Sequence, residues 1–486
     1  MPRPNQGTVL ARGERYNARR MNRVTAIVLA AGKGKRMKSR LPKVLHSAAG
    51  RPLVHYPVAA AVAAGATRVV VVVSADTAAP ILSHSRAAFP GVEVVTAVQP
   101  EPRGTGDAAR IGLSEVGNSD RVLLLIGDAP LVRASDLEHL LAPLANVTTT
   151  VSLLSAHLDD PSGYGRVIRD DEGRVLAVRE DKDIGSEERK ALKEVNSGFY
   201  AARVDMLRAA LATLTPNNAQ GELYLTDVVA YAARDGGAAA VVGAADALVG
   251  VNDRSQLAFA EEVLLRRIAE RHRLAGVTVR AGARIDDSAV IGEDARIEAG
   301  VELRGNTRVG AGAVIDTGSI LTDSEVGEGT QVLPYTVMVE TTVGARAQIG
   351  PFARLRPGSV IEDEAHVGNF VETKKTRLGR GAKANHLSYL GDGDVGAGAN
   401  IGAGTIFCNY DGFTKHRTVI GEGVFIGSDS QIVAPVTIGR GAYVATGTTV
   451  TRDVPEDALA IGRVKQETKP GYASRLKKRL AAAKKT

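Results

Sequence analysis

From Gly276 onward the chain repeats itself every six residues, and no other feature of it restricts the fold so severely. Ile285, Ile291, Ile297, Leu303, Val309, Ile315 and Leu321 stand six apart. The register slips to Val326 and Val332, then again to Val343, Ile349, Leu355, Ile361 and Val367. Val395 and Ile401 follow, then Ile420, Ile426, Ile432, Ile438, Val444 and Val450. Glycine often comes next, as in Ile291-Gly292, Val309-Gly310 and Ile438-Gly439. One aliphatic residue per hexad is the signature of a parallel β-helix, with one short strand per hexad and three hexads per coil. Stacked Ile, Leu and Val ladders leave little room for large rings, in keeping with an aromatic fraction of 4% and no tryptophan. The ladder fades between Leu378 and Val395. It is interrupted at Phe407–Thr418, where Cys408-Asn409-Tyr410-Asp411-Gly412-Phe413 does not continue it. Insertions in such a solenoid become loops on one face and often bind something.

The first half has a different rhythm. From Arg23 to about Val251, apolar runs such as Ala26–Ala30, Arg68–Val73, Val92–Val98 and Val122–Ile126 alternate with helix-like stretches. That pattern predicts parallel strands with helical crossovers, a doubly wound α/β domain. Between the halves, Leu257, Ala260, Leu264 and Ile268 share one helical face, which predicts a single linker helix. The expected organisation is a disordered basic extension over 1–21, an α/β domain over 22–252 and a linker helix over 253–275. A β-helix over 276–463 and a basic tail over 464–486 complete it.

The net charge of +7 is a property of the ends: the first 23 residues carry +5 and the last 23 carry +7, which leaves about −5 between them. A nucleic-acid-binding body is therefore disfavoured. The lone Cys408 excludes an intramolecular disulfide and a thiolate metal cluster and suits a reducing compartment. The arginine-bearing start lacks the apolar core of a secretory signal. No apolar run approaches the roughly 18 residues of a membrane span. A cytoplasmic protein is expected.

Chemistry is suggested at two places in the first half. Strand Ala26–Ala30 runs into Ala31-Gly32-Lys33-Gly34-Lys35-Arg36, with Pro42-Lys43 beyond. Glycines after a first strand let backbone N–H groups approach a phosphate. A P-loop fails because Arg36 stands where Ser or Thr is needed, and a dinucleotide fingerprint fails at Met37. A glycine turn with solvated basic residues explains the stretch alone equally well. Asp128, in Leu123-Leu124-Leu125-Ile126-Gly127-Asp128, ends a buried strand where a hard oxygen ligand suits Mg²⁺. A capping aspartate is the plain alternative.

Together these stretches resemble the sugar nucleotidyltransferase family. The likeness extends to Gln99 with Gly104-Thr105-Gly106, to Gly163-Tyr164-Gly165-Arg166, and to Asn217-Asn218-Ala219-Gln220-Gly221-Glu222 leading to Tyr224-Leu225-Thr226-Asp227. Joined to a hexad domain, the chain from Asn22 to Lys465 is similar to bifunctional enzymes that unite an N-acetylglucosamine-1-phosphate uridyltransferase with a glucosamine-1-phosphate acetyltransferase. The resemblance implies a Rossmann-like domain followed by a left-handed β-helix, with UTP and acetyl-coenzyme A as co-substrates, Mg²⁺ as cofactor, and a homotrimer.

It also implies site residues. Leu29, Ala30, Ala31, Gly32 and Lys43 would hold nucleotide phosphates, Arg36 would join the same UTP and UDP-N-acetylglucosamine site, and Gln99, Gly104 and Thr105 would read uracil. Ile126, Gly127 and Asp128 would line the same site, with Asp128 and Asn252 on the metal. Gly165, Glu180 and Asn196 would hold the N-acetylglucosamine group, with Tyr224 and Thr226 close by. Pro100, Pro102 and Arg103 give the uracil loop an unusual stiffness and charge.

In the second half, acyl transfer to an amine needs a base, and His386 in Ala384-Asn385-His386-Leu387-Ser388-Tyr389 is the candidate. A lone histidine is more often packed on a coil surface. Arg356 and Lys374, however, are 18 residues apart, one full coil, and would offer two stacked cations to a sugar phosphate. By the resemblance His386 is the base, and Arg356, Lys374, Tyr389 and Asn400 bind glucosamine-1-phosphate. Ala403, Asn409, Tyr410, Ser428, Thr446 and Arg463 line the acetyl-coenzyme A site. Thr446 is larger than the usual residue there, which implies a backbone contact. Two other readings are a glucose- or mannose-type nucleotidyltransferase with an inert hexad domain, and a non-catalytic scaffold. A scaffold has no use for His386, Lys43 or Asp128.

Overall fold

The computed structural model describes residues 23–484 except Lys33, without the side chains of Ser186, Glu187 and Lys190. The extension over 1–21 lies outside the described residues. Contacts divide the chain into two units, Met1–Arg267 and Ile268–Thr486.

The first unit is built on a nine-stranded sheet. In chain order the strands are β1 (Val24–Leu29), β2 (Ser47–Ala48), β3 (Arg51–Pro52), β4 (Arg68–Val73), β5 (Glu93–Val98) and β6 (Arg121–Ile126). They continue with β7 (Val151–His157), β8 (Arg166–Arg169), β9 (Val175–Arg179), β10 (Glu194–Arg203) and β11 (Ala238–Val242). The main sheet runs β11-β7-β10-β6-β1-β4-β5, the hairpin β8–β9 joins it through β10, and β2 with β3 forms a separate ribbon. Strands β6, β1, β4 and β5 are mutually parallel, as their unbroken apolar runs predict. The periodicity missed β10, which is antiparallel to both β6 and β7. Its run Phe199–Ala202 is buried on both faces and carries no alternation to betray its direction. Two buried clusters, one including Val28, Val71 and Leu125 and the other Ile27, Val72 and Leu124, cover the two faces.

The important consequence lies at the carboxyl end of β1. Its neighbours β4 and β6 lie on opposite sides, so the crossovers leave in opposite directions and open a crevice there. The segments after Leu29 and after Ile126 emerge side by side, because these two residues pair in the ladder. A 21-residue helix, Arg254–Leu274, follows the unit's last loops, and Ala260, Val263 and Leu264 on it are buried.

In the second unit three parallel sheets of 11, 10 and 9 short strands form the walls of a triangular coil. Each inward residue is buried while its neighbours face out. Val279, Ile297 and Ile315 begin the first wall, Ile285, Leu303 and Leu321 the second, and Ile291, Val309 and Val326 the third. Full burial of each Val, Ile or Leu contributes about 1.5–3 kcal/mol, and stacking spreads that gain along the whole prism. The fold is a parallel β-helix of hexapeptide repeats, of the left-handed type.

At two places the coil is more regular than its sequence period predicts. The ladder does not fade between Leu378 and Val395: Ala384 and Leu390 keep the register, both fully buried. Alanine fills its place without advertising it. Phe407 also points inward in register and Cys408 still pairs with Val433, so the insertion begins only at Asn409. Glycine after the third-wall residue serves spacing: a Cβ on Gly292 would lie 2.6 Å from the Ala311 nitrogen of the next coil.

The register slips have one address. Steps from Leu321 to Val326, Met338 to Val343, Thr373 to Leu378 and Leu390 to Val395 all turn from the second wall to the third in five residues. The shorter corner forces Asp323, Glu340, Lys375 and Asp392 into left-handed backbone, with φ of 45° to 52°. Beyond residue 464, read only as a tail, Tyr472–Ala483 is a helix.

Candidate active sites

In the first unit two lobes meet at Ile126 and Asp128. One cavity, of about 240 Å³, is lined by Leu29, Ala30, Ala31, Gly32, Lys43, Gln99, Gly104 and Thr105 together with those two residues. The other, of about 390 Å³, takes in Arg36, Gly165, Glu180, Asn196 and Asn252. The crevice thus gathers nearly every residue expected of a nucleotide and sugar site. Arg36 lines the second lobe with Asn252, beyond the turn at Gly34 that carries Lys35–Met37 past the glycine loop.

At the junction Lys43 Nζ pairs with the Asp128 carboxylate and donates to Asn252 Oδ1 at 3.3 Å. Asn252 is held there because the Val251 N–H donates to the Asp128 carbonyl at 2.8 Å. Gly34 makes this approach possible. Its φ is 57°, and a Cβ would lie 2.6 Å from Lys43 Cβ. The Ala30 N–H donates to the Val72 carbonyl and the Gly127 N–H to the Leu29 carbonyl, so these two donors hold the sheet. A side chain on Gly127 would be crowded, since a Cβ would be 3.0 Å from Ala30 Cβ.

A hard cation fits the junction. Asp128 and Asn252 already direct a carboxylate and an amide oxygen at one positive centre, the Lys43 ammonium. Among the described residues no three His, Cys, Asp or Glu side chains converge. Most ligands would have to come from phosphate and water, which is how Mg²⁺ is usually held.

The uracil candidate Gln99 is buried, and its Nε2 donates to the Gly104 carbonyl at 3.3 Å and to Asp107 Oδ2 at 3.0 Å. Asp107 escaped the sequence reading, although it lies three residues beyond Gly104. Gly104 opens the helix Thr105–Leu113 at φ 113°, where a Cβ would meet the Leu223 carbonyl at 2.5 Å. In the second lobe Thr226 Oγ1 donates to Glu180 Oε1 at 3.2 Å, and Tyr224 lies buried two residues earlier. Burial pushes the Glu180 carboxyl up, partly opposed by the Thr226 bond, with Asp183, Asp227 and Asp181 adding to the rise. Asn196 donates its N–H to the Gly165 carbonyl at 2.9 Å and Nδ2 to the Tyr200 hydroxyl at 2.7 Å. Arg166 is fully buried and donates to the Tyr164 and Leu192 carbonyls and to Asp181 Oδ1. It ties the Gly165 turn to the segment after Glu180.

In the second unit His386 ends strand Lys383–His386 and borders a cavity of about 330 Å³ with Gln348, His366, Gly368 and Asn369. Its Nδ1 lies 3.0 Å from Asn369 Oδ1. Ala403, Ser428 and Thr446 hold the same place as His386 in the next three coils, each two residues beyond a paired inward residue of the first wall. Arg463 donates to the Thr446 carbonyl.

The expected phosphate cations lie elsewhere on the coil. Arg356 and Lys374 follow paired residues of the second wall, but neither lines the cavity that holds His386. Arg356 donates to Glu372 Oε1 at 2.8 Å, and Lys374 Nζ is 3.4 Å from Asp392 Oδ2. Asn409 Nδ2 reaches the same Asp392 oxygen at 2.5 Å. Asp392 is the residue that a five-residue corner places in left-handed backbone, at φ 52°. Tyr389 stands between Glu372 and Ile406 on that wall, while Asn400 faces out from the first wall between Lys383 and Phe425. The insertion folds on itself: Asp411 takes hydrogen bonds from His416, Thr414 and Phe413, which hold its carboxyl well below the usual range. Lys415 Nζ sits 4.0 Å over the Tyr410 ring.

The two halves define a class, a nucleotidyltransferase joined to a hexapeptide transferase. Residues 25–247 match the nucleotidyl transferase family, and residues 417–452 match the bacterial transferase hexapeptide (six repeats). Three relatives named bifunctional protein GlmU resemble the chain over nearly its full length. That of Sorangium cellulosum (strain So ce56) is 60% identical, covering 95% of this chain and 98% of its own. That of Anaeromyxobacter sp. (strain Fw109-5) is 53% identical, covering 93% of each. That of Geobacter sulfurreducens is 45% identical, covering 94% of this chain and 99% of its own. The chain belongs to the family of bifunctional GlmU proteins. It is a two-domain transferase, with a uridyltransferase domain followed by a hexapeptide acetyltransferase domain.

Proposed function

We propose that the β-helix moves an acetyl group from acetyl-coenzyme A to the amine of glucosamine-1-phosphate, and that the α/β domain then joins the product to UMP from UTP. The observation that carries the reading is the convergence of Lys43, Asp128 and Asn252 where the two lobes of the crevice meet. The glycine-loop lobe takes the nucleotide, and the lobe of Gly165, Glu180 and Asn196 takes the N-acetyl sugar. A phosphate oxygen of the sugar attacks the α-phosphorus of UTP, and the bond to the β-phosphate breaks to release pyrophosphate. Mg²⁺, held by Asp128 and Asn252, would neutralise phosphate charge there. Lys43 supplies a fixed positive charge beside the reacting phosphates, and the chemistry needs positioning more than a base.

In the β-helix, His386 takes a proton from the amine as nitrogen attacks the thioester carbon. The carbon–sulfur bond then breaks, and the thiol leaves with a proton. Asn369 Oδ1 accepts the Nδ1 hydrogen and so leaves Nε2 free as the base. Arg356, Lys374, Tyr389 and Asn400 bind the sugar phosphate. The column Ala403, Ser428 and Thr446, with Asn409, Tyr410 and Arg463, takes the coenzyme.

A homotrimer reconciles the two sets, because a neighbouring coil brings its own Arg356 and Lys374 toward His386. Support comes from a ridge at the corner between the first and second walls. There Gly282, Gly300 and Gly318 give way to Tyr335, Phe352, Phe370 and Leu387, all at positive φ of 49° to 58°. These four are 53%, 48%, 55% and 61% exposed, and the three rings stack at 5.4 and 5.6 Å. Large apolar residues in strained backbone on an open face are the mark of an interface. The test is a single incubation with glucosamine-1-phosphate, acetyl-coenzyme A, UTP and Mg²⁺. Free thiol and pyrophosphate should appear in equal amounts. Pyrophosphate without thiol, from glucosamine-1-phosphate directly, would contradict the order of reactions.

A further inference from the structure

Gln99 stands one residue beyond β5, where its N–H donates to the Val73 carbonyl at 2.9 Å, and it lines the glycine-loop cavity. Its neighbours decide which end of its amide meets that cavity. Asp107, in the first turn of the helix Thr105–Leu113, is buried and does not line the cavity. Its Oδ1 accepts from Arg110 Nη2 at 2.6 Å, and its Oδ2 accepts from Gln99 Nε2 at 3.0 Å. A carboxylate paired with a guanidinium offers acceptors only, so the amide must present its nitrogen to it. The other hydrogen of Nε2 goes to the Gly104 carbonyl at 3.3 Å. Both donors of the amide are thus engaged, and Oε1 takes no hydrogen bond among the described residues. The frame is firm: the Leu223 N–H donates to the Arg103 carbonyl at 2.9 Å, and the Gly106 N–H to the Leu223 carbonyl at 2.8 Å.

We infer that Asp107 is a positioning residue that makes this lobe select uracil over cytosine, an inference that rests on the reading of the lobe as the UTP site. With its nitrogen held away, the Gln99 amide offers the base a single carbonyl oxygen. The N3–H of uracil donates to that oxygen. Cytosine carries a lone pair at N3, so two acceptors would face each other, and burying them unpaired is unfavourable. Turning the amide over would suit cytosine, but it would set Oε1 against the Asp107 carboxylate. Asp107 has no freedom to yield, because Arg110 holds its other oxygen. Asp107→Asn reverses the arrangement. With Oδ1 kept by Arg110, the new amide nitrogen would face Gln99 Nε2, donor against donor, and the Gln99 amide would turn to present its nitrogen to the base. A first-turn aspartate also steadies its own helix, a role that does not involve the Gln99 amide.

Pyrophosphate release by the full chain is measured with UTP and separately with CTP, at saturating N-acetylglucosamine-1-phosphate and Mg²⁺. The unaltered chain should prefer UTP in kcat/KM by at least about 100-fold, and Asp107→Asn should narrow that preference about tenfold, through a higher KM for UTP and a lower one for CTP. Its KM for N-acetylglucosamine-1-phosphate, set in the other lobe, should not change, which shows that the domain is folded. Arg110→Met removes the same ion pair but leaves the carboxylate facing Gln99, and it should keep the preference. Gln99→Leu removes the accepting oxygen at the other end of the bond and should narrow the preference as Asp107→Asn does. It takes the place of that variant if the asparagine chain does not fold. An unchanged preference in these two variants, or an equal relaxation in Arg110→Met, overturns the inference while the UTP site stands. Failure of the unaltered chain to use UTP overturns the site and the inference together.

Discussion

Asn369 and His386 occupy matching positions on adjacent coils, and the amide oxygen of one lies 3.0 Å from Nδ1 of the other. The stacking repeat itself therefore orients the proposed base. Asn369→Ala should lower the kcat of acetyl transfer about 10- to 100-fold while leaving uridylyl transfer intact. Separate assays of thiol and pyrophosphate release check this, and equal loss in both would contradict it.

Glu180 gives the sugar lobe a pH dependence of definite sign. Burial raises its carboxyl above the ordinary range, so the folded protein holds this proton more tightly than the unfolded chain. As pH rises from the ordinary carboxylate range through the raised value, this group lowers stability. In the proposed sugar site it would become a full hydrogen-bond acceptor over the same interval. KM for N-acetylglucosamine-1-phosphate should accordingly fall with rising pH there, and Glu180→Gln should flatten that dependence while raising KM. A profile unchanged by the substitution would contradict the role.

Gly34→Ala tests the turn that admits Lys43. A side chain at φ 57° costs about 1–2 kcal/mol, and its Cβ would displace Lys43. The variant should melt a few degrees lower and lose uridylyl transfer, with acetyl transfer retained.

The aromatic ridge predicts an assembly defect. Phe352→Ser with Phe370→Ser removes two stacked rings from an exposed corner, where the prism core is untouched. Light scattering should show a smaller species, and acetyl transfer should fall with it. Uridylyl transfer should persist. A variant that keeps its size and full acetyl transfer would remove the ridge from the interface.

The β-helix was legible because one aliphatic residue per coil wall is a period that little else produces. It became illegible where Ala384, Met338 and Thr373 fill inward places, since alanine, methionine and threonine are less distinctive than isoleucine. Thr373 is fully buried and satisfied by Ser359 at 2.9 Å, a partner 14 positions earlier in the chain. In the α/β domain, glycines and acidic strand ends marked the crevice, because close backbone approach needs particular residue types. The contributions of Arg166, Asp107 and Asp392 were hidden. Their partners lie on other elements, and only the folded chain brings them within reach.

Two independent reaction centres on one chain should fail independently. The most direct measurement assays Asp128→Ala and His386→Ala separately for pyrophosphate release from UTP with N-acetylglucosamine-1-phosphate and for thiol release from acetyl-coenzyme A with glucosamine-1-phosphate. Asp128→Ala should lose at least about 100-fold in the first and nothing in the second, and His386→Ala should do the reverse. Loss of both activities in either well-folded variant would contradict the account.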